Sequence, residues 1–300
     1  MMKKKILAID DIDANLFTLK SVIESLEPQK YEVVTALSAE EGLAILLKEQ
    51  IDLILLDVMM PEIDGFETAK MIKSRKKTKD IPIIFVTANR DDAVIEQCYQ
   101  VGGSDYINKP FNQVELMARI AFHIKLHEKE MVLRLREEEL EHEANFDALT
   151  QIYNRRMFAN YFEQKISYAK EQKSPFIFVM CDIDLFKKIN DTYGHLVGDI
   201  VLKELAQLLK SRVRKGDIVA RWGGEEFVFV FDVGLEMGKK IVDNLRKDIA
   251  TTLFSEVGSV SCSFGMTELR EDDSVDTIIQ RADDALYEAK ENGRNRVCQK

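Results

Sequence analysis

The sequence predicts two mixed units in series: a doubly wound parallel α/β sheet of five strands, then, after a helical joint, an α+β sandwich. Three observations predict this. Short apolar runs alternate with amphipathic stretches over residues 5–122. From Asn112 to Asp147 there is neither Pro nor Gly. Beyond that stretch, apolar runs are joined by tight turn signals such as Gly223-Gly224. Three hundred residues give each unit enough chain to bury its own core.

In the first unit the strands are Ile6-Leu-Ala-Ile9, Tyr31-Glu-Val-Val-Thr35, Leu53-Ile-Leu-Leu56, Ile81-Pro-Ile-Ile-Phe-Val86 and Tyr106-Ile107. Ser38-Ala-Glu-Glu41 and Asn112-Gln-Val-Glu115 mark helix starts, the first residue capping and the glutamate reaching back. Sheets of this kind bind ligands beyond the C-terminal ends of their strands. Asp10 and Asp11 follow the first strand, Asp57 the third, Thr87 the fourth and Lys109 the fifth. Each alone fits a capping acid or a surface lysine. Together they fit a Mg²⁺ pocket in which Asp57 is a nucleophile toward a phosphoryl group and Lys109 neutralises the remaining charge.

Asp57-Val-Met-Met-Pro61 with Gly65, and Asn108-Lys-Pro-Phe111, resemble the phosphoacceptor and lysine loops of the response-regulator receiver domain. The resemblance implies that Asp57 takes phosphate from a histidine kinase. It also implies that the Met59 carbonyl joins Asp10, Asp11 and Asp57 around the metal, and that Thr87, Tyr106 and Lys109 read out the modification. A phosphoryl group brings roughly −1.5 to −2 charge, which makes such a domain a switch.

The last helix of this unit is expected to run on through Glu130–Leu140. Met117, Ile124 and Met131 repeat every seven residues, as do Leu126, Leu133 and Leu140, without forming one a/d seam. A solvated connecting helix and a helical joint that pairs across a dimer both fit.

In the second half, helices are expected over about 154–173, 198–213, 235–250 and 275–292, with strands at Phe176–Cys181, at Ser259–Ser263 and on both sides of Gly223-Gly224. Antiparallel strands with helices on one face make the sandwich. The hairpin tip carries Glu225 and Glu226, and a Gly-Gly-acid-Glu-Phe string arises by chance in on the order of one in a thousand chains of this length. An ordinary hairpin with solvated acids fits the string alone. The strand ending in Asp182-Ile-Asp184-Leu-Phe-Lys187 adds acids and a lysine, which together suit Mg²⁺ and phosphate.

Asp147-Ala-Leu-Thr150, Asn154-Arg-Arg156, the segment Asp182 to Asp199, Gly223 to Phe227, and Lys290-Glu-Asn-Gly-Arg294-Asn295 resemble, in order, the motifs of the GGDEF diguanylate cyclase domain. That implies a palm-like fold and condensation of two GTP into cyclic di-GMP. By the resemblance Asp182, Glu225 and the Ile183 carbonyl hold Mg²⁺, and Glu225, Glu226 and Lys187 serve the chemistry. Leu185, Phe186 and Lys187 turn around the phosphates with Gly223, Gly224, Lys290 and Arg294, while Asn190 and Asp199 read guanine. Helix capping is the plainer use of Asn190 and Asp199. Arg214 and Asp217 fall where the family binds its product as a feedback inhibitor. The resemblance further implies that each domain supplies a half-site, so that the active form is a homodimer. Gln151-Ile152 replaces the family's Gly-Leu, and the signature reads Gly-Gly-Glu-Glu-Phe, which keeps a carboxylate at the metal position.

The division expected is a receiver domain over 1–122, a helical linker over 123–144 and a cyclase domain over 145–300. A net charge of −10 argues against gripping a nucleic acid polymer. No apolar run approaches the about 20 residues that span a bilayer, and Met1-Met-Lys-Lys-Lys5 leads into too short a run for a signal peptide, so a cytoplasmic protein is expected. Cys98, Cys181, Cys262 and Cys298 have no metal spacing and read as free thiols. His123 and His127 read as a solvated helix face rather than a metal pair. A non-catalytic cyclic di-GMP receptor, and a cyclase making an adenine-containing dinucleotide, are the rival functions.

Overall fold

The computed structural model describes residues 3–89, 91–214 and 216–300, and the chain divides into two units at Arg136/Glu137. The first unit runs β1 (Lys4–Ile9), α1 (Asp13–Leu26), β2 (Tyr31–Ala36), α2 (Ala39–Lys48), β3 (Leu53–Asp57), α3 (Gly65–Lys73), β4 (Ile83–Thr87), α4 (Asp92–Gln100), β5 (Asp105–Asn108) and α5 (Gln113–Asn145). Its five strands are parallel in the order β2-β1-β3-β4-β5. Strand β3 is buried along its whole length because two cores cover it, Leu53 and Leu55 on one face and Ile54 and Leu56 on the other. That is the doubly wound arrangement, and it explains the continuous apolar runs.

The capping signals act much as expected. Ser38 accepts the Glu41 amide at 3.2 Å, although Glu41 reaches back to the Leu37 amide at 2.8 Å rather than to Ser38. Asn112 accepts the Val114 and Glu115 amides, but the Glu115 carboxylate accepts from Arg119 instead of reaching back. Helix α5 is 33 residues long and crosses the boundary between units without a break. Its Leu126, Leu133 and Leu140 stripe is exposed, whereas Ile124 is buried in the first unit's core.

The second unit comprises α6 (Arg155–Gln172), β6 (Ile177–Ile183), α7 (Phe186–Tyr193), α8 (His195–Arg212), β7 (Ile218–Gly223), β8 (Glu226–Phe231), α9 (Leu235–Thr251), β9 (Leu253–Phe254), β10 (Gly258–Ser259), β11 (Cys262–Glu268), α10 (Val275–Glu291) and β12 (Val297–Gln299). The main sheet has the order β12-β11-β6-β8-β7. Neighbours are antiparallel except β11 and β12, which run parallel.

Two expectations are corrected here. Helices cover both faces of this sheet, not one: α8 and α9 pack with Val179, Cys181, Phe227 and Phe229, while α6 and α10 pack with Phe178, Met180, Val228 and Val230. Apolar residues at successive positions of β6 and β8 leave no polar face to point at water, so both sides must be covered. The run Ser259–Ser263 is also not one strand. The turn 255–257 joins β9 to β10, where Gly258 at φ 77° pairs with Phe254, and the main sheet resumes at Cys262.

Candidate functional site

The C-terminal edge of the first sheet gathers Asp10, Asp11 and Asp57, whose carboxylate oxygens lie within 4.8 Å of one another. Asp10 and Asp57 are buried and Asp11 is more open. Lys109 Nζ donates to Asp10 at 2.7 Å and to Asp57 at 2.8 Å. Asp10 also accepts the Ile12 amide and the Asn15 side chain. Burial pushes the Asp57 carboxyl above its ordinary value, against the pull of Lys109 and with help from Asp10 and Asp11. Burial lowers Lys109, but hydrogen bonds to Asp10 and Asp57 outweigh it and raise the ammonium overall. Three carboxylates facing one ammonium leave an excess of hard oxygen donors, the chemistry that suits Mg²⁺.

Thr87 is fully buried at the end of β4 and its hydroxyl accepts the Asn89 amide at 3.1 Å. Tyr106 is half-buried and edge-on to Tyr99, with ring centroids 6.2 Å apart. Met59 is exposed. Gly65 is required where it sits, because a Cβ there would come within 2.1 Å of the Asp57 carbonyl.

In the second unit Asp182, next to last in β6, stands opposite Glu226 of β8 in the strand register. The intervening turn places the Glu225 carbonyl 3.4 Å from the Ile183 amide that donates to it. Gly224, at φ 53°, takes the left-handed backbone this turn needs. Helix α10 lies directly on β11 because Gly265 has no Cβ to meet the Ala282 carbonyl, which would be 2.0 Å away. That packing brings Lys290 to Asp182, Nζ to Oδ2 at 2.8 Å.

Burial raises the Asp182 carboxyl; Lys290 opposes this, and the charges of Glu225 and Asp184 add to it. Glu226 is raised by burial and then by Asp182. These acids repel one another, with one lysine paired to Asp182 alone, and their oxygens fit Mg²⁺. Among the described residues, however, no three acids of this unit lie as close together as Asp10, Asp11 and Asp57.

Leu185, at φ 60°, starts α7. Leu185 and Lys187 are exposed, whereas the Phe186 side chain is buried in the core, so Phe186 offers only its backbone at this helix N-terminus. Asn190 sits against the first turns of α8: a Cβ on Gly198, the residue before Asp199, would be 2.0 Å from its Oδ1. Gly223 and Arg294 are exposed. Arg214 and Asp217 line a cavity of about 180 Å³ with Arg212, Asn244 and Asp248. Asp217 also accepts the Arg214 amide at 3.0 Å, and Lys215 between them lies outside the described residues.

The sequence assigns no individual role to Arg221 or Asp184. Arg221 donates to the Gly224 carbonyl at 3.0 and 2.7 Å and to Asp147 at 3.0 Å, tying the hairpin turn to the start of the unit. Asp184 is buried and accepts from Ser261 and Ser263. His123 corrects the expectation of a solvated face: it is buried, its Nε2 3.0 Å from Asp105, which Arg119 also grips. One helical turn separates it from the more open His127, so spacing alone did not separate inside from outside. The four cysteines are free, and burial pushes the Cys98 thiol up to about 11.

A lysine-closed acid pocket on a doubly wound sheet, continued into a second sheet with an acidic hairpin, defines a two-domain response regulator. The chain belongs to the GGDEF family: the model described as "Diguanylate cyclase, GGDEF domain" matches residues 144–296, and that of the response regulator receiver domain matches residues 6–121. It is 31% identical over 260 residues to the response regulator PleD of Caulobacter vibrioides, covering 83% of this chain and 57% of PleD. It is 41% identical over 166 residues to the diguanylate cyclase DgcM of Escherichia coli, covering 54% and 40%. The crystal structure of the coiled coil and GGDEF domain of DgcB from Caulobacter crescentus in complex with c-di-GMP matches with a TM-score of 0.55 at 29% identity, covering 62% of this chain and 99% of that one. The chain thus spans about half the length of these curated relatives. Among the described residues no helix is long and apolar enough to cross a membrane.

Proposed function

We propose that this protein is a cytoplasmic diguanylate cyclase that condenses two GTP into cyclic di-GMP and two pyrophosphates, and that a histidine kinase switches it on by phosphorylating Asp57. Its parts are a receiver over 1–122, a linker over 123–144 and a cyclase domain over 145–300. The observation that carries the reading is Asp182 opposite Glu226 in register, with Lys290 on Asp182. Like charges directly across two strands destabilise a sheet, a cost that a bound cation would offset.

Asp182, Glu225 and the Ile183 carbonyl would hold Mg²⁺, which when bound stabilises the attacking and leaving oxygens of phosphoryl transfer. The backbone at Leu185 and Phe186, with Lys187, Lys290 and Arg294, receives the phosphates beside Gly223 and Gly224. Asp199 accepts from guanine N1 and N2, donors that adenine lacks, and Asn190 binds the same base edge. The 3′-hydroxyl of one GTP attacks the α-phosphate of the other, its proton passing to Glu225 or Glu226, and the α–β phosphoanhydride bond breaks to release pyrophosphate. Two copies face each other to join the half-sites, so the active form is a homodimer.

In the receiver, Asp10, Asp11, Asp57 and the Met59 carbonyl would hold Mg²⁺, Thr87 and Lys109 would follow the phosphoryl oxygens, and Tyr106 would relay the change. Arg214 and Asp217 bind the product, in keeping with the cyclic di-GMP complex of the related DgcB. The cavity beside them also favours a second reading, a receptor without catalysis.

The experiment is pyrophosphate release and product analysis from GTP or ATP with Mg²⁺, with and without beryllofluoride. Cyclic di-GMP from GTP alone, made faster with beryllofluoride, is expected. Binding of cyclic di-GMP with no product under any condition selects the receptor.

A further inference from the structure

Asp184 follows β6 two residues after Asp182, and the reaction proposed above gives it no part. It is 8% exposed, and its partners come from distant segments. Ser261 Oγ donates to Oδ2 at 2.6 Å, Ser263 Oγ to Oδ1 at 2.6 Å, and the backbone amide of Asn295 to Oδ2 at 3.0 Å. Asn295 is gripped a second time by Arg246 of α9, whose Nη1 donates to its Oδ1 at 2.9 Å and to its carbonyl at 3.3 Å. Asp243 in turn accepts from Arg246 Nε at 2.9 Å.

Between these grips the backbone leaves its comfortable range. Helix α10 ends with Gly293 at φ 107° and the Arg294 amide returning to the Ala289 carbonyl at 3.0 Å, an ordinary glycine stop. Arg294 and Asn295 then continue at φ 63° and 42°. An arginine gains nothing locally from left-handed backbone, so a loop with two such residues in a row persists only where its surroundings over-determine it. Asp184 and Arg246 are those surroundings. The loop they hold presents the exposed Arg294 just beyond the helix that brings Lys290 to Asp182.

We infer that Asp184 and Arg246 are positioning residues: they fix the 293–296 loop so that Arg294 meets the phosphates of the bound nucleotide. The inference rests on the diguanylate cyclase reading. Asparagine at 184 loses the charge and replaces one of the two acceptor oxygens by a donor, so the three groups that donate to Asp184 can no longer all be satisfied and the anchor weakens while the volume is unchanged.

The test is a double-mutant cycle on the full chain, reading KM for GTP, kcat and Tm. We expect Asp184→Asn to raise KM about tenfold with kcat within about twofold, and Arg246→Lys, which keeps the charge but loses the fork, to raise it about threefold. In an Arg294→Ala background both increments should vanish, because the loop then has nothing to position. Increments that persist unchanged beside Arg294→Ala, or an unchanged KM in both single variants, overturn the inference. If Asp184→Asn does not fold, Arg246→Lys carries the cycle alone. If the wild type binds GTP without making cyclic di-GMP, the enzymatic reading fails, and the same cycle is read in the Kd for GTP. If it does not bind GTP at all, both fail.

Discussion

In the first unit one ammonium, Lys109, touches two buried carboxylates, whereas in the second Lys290 touches one and leaves two acids on the facing hairpin without it. If Asp57 takes a phosphoryl group as proposed, the first pocket changes by one modest step, since Lys109 already touches Asp57 and can follow the group. The second holds unbalanced charge at the end of two strands and depends on what binds to balance it. A switch can rest in its own structure; a site for a polyphosphate substrate is completed by that substrate and its cation.

The sharpest way to break this comparison is to neutralise one carboxylate in each pocket. Asp182→Asn should lower cyclic di-GMP formation about a thousandfold, because the acid meant to hold the cation is gone. Asp57→Asn should leave cyclisation measurable and abolish only the increment with beryllofluoride. Turnover by Asp182→Asn near the wild-type rate, or an Asp57→Asn protein that beryllofluoride still activates, would remove the distinction.

A smaller effect sharpens it. Lys109→Met leaves Asp10 and Asp57 buried beside each other without their shared cation, which should cost the first unit roughly 3 kcal/mol. Mg²⁺ should restore more of the lost stability in this variant than it adds to the wild type, since binding to the folded state alone stabilises it. Thermal melts with Mg²⁺ and with a chelator measure this. Equal Mg²⁺ shifts in the two proteins would mean that the acids do not form one site.

How much of this was legible in the sequence follows from the range of each interaction. Strands such as β3 and β6 announce themselves because every residue is buried, which leaves a continuous apolar run. Glycine turns and capping serines are equally local. The acids at strand ends were visible because sheet topology sends them to one edge whatever the loops do.

What the sequence hid is long-range and single: Arg221 reaches Asp147 across 74 positions, and Asp184 holds the Asn295 amide across 111. A hydrogen bond from one side chain to one distant backbone group imposes no periodicity. The two-sided packing of the second sheet was readable in principle from the same apolar runs, and the parallel β12 is only three residues long.

The smallest effect concerns the tie between hairpin and domain start. Burial alone would raise the Asp147 carboxyl, but hydrogen bonds from the Thr150 side chain and amide, and then Arg221, outweigh it and hold it below its ordinary value of 3.8. For a carboxyl lowered on folding, the unfolded chain binds protons first. The stability it contributes is therefore fully present above the unfolded value and is lost as the pH falls through the folded one. Asp147→Asn should cost about 1 kcal/mol at neutral pH and nearly nothing at pH values well below 3.8. Chemical denaturation of the second unit's transition at a series of pH values measures the gap between the two proteins. A gap that stays constant down to the lowest pH would mean that the ion pair with Arg221 contributes nothing, and that Asp147 acts only through its neutral hydrogen bonds.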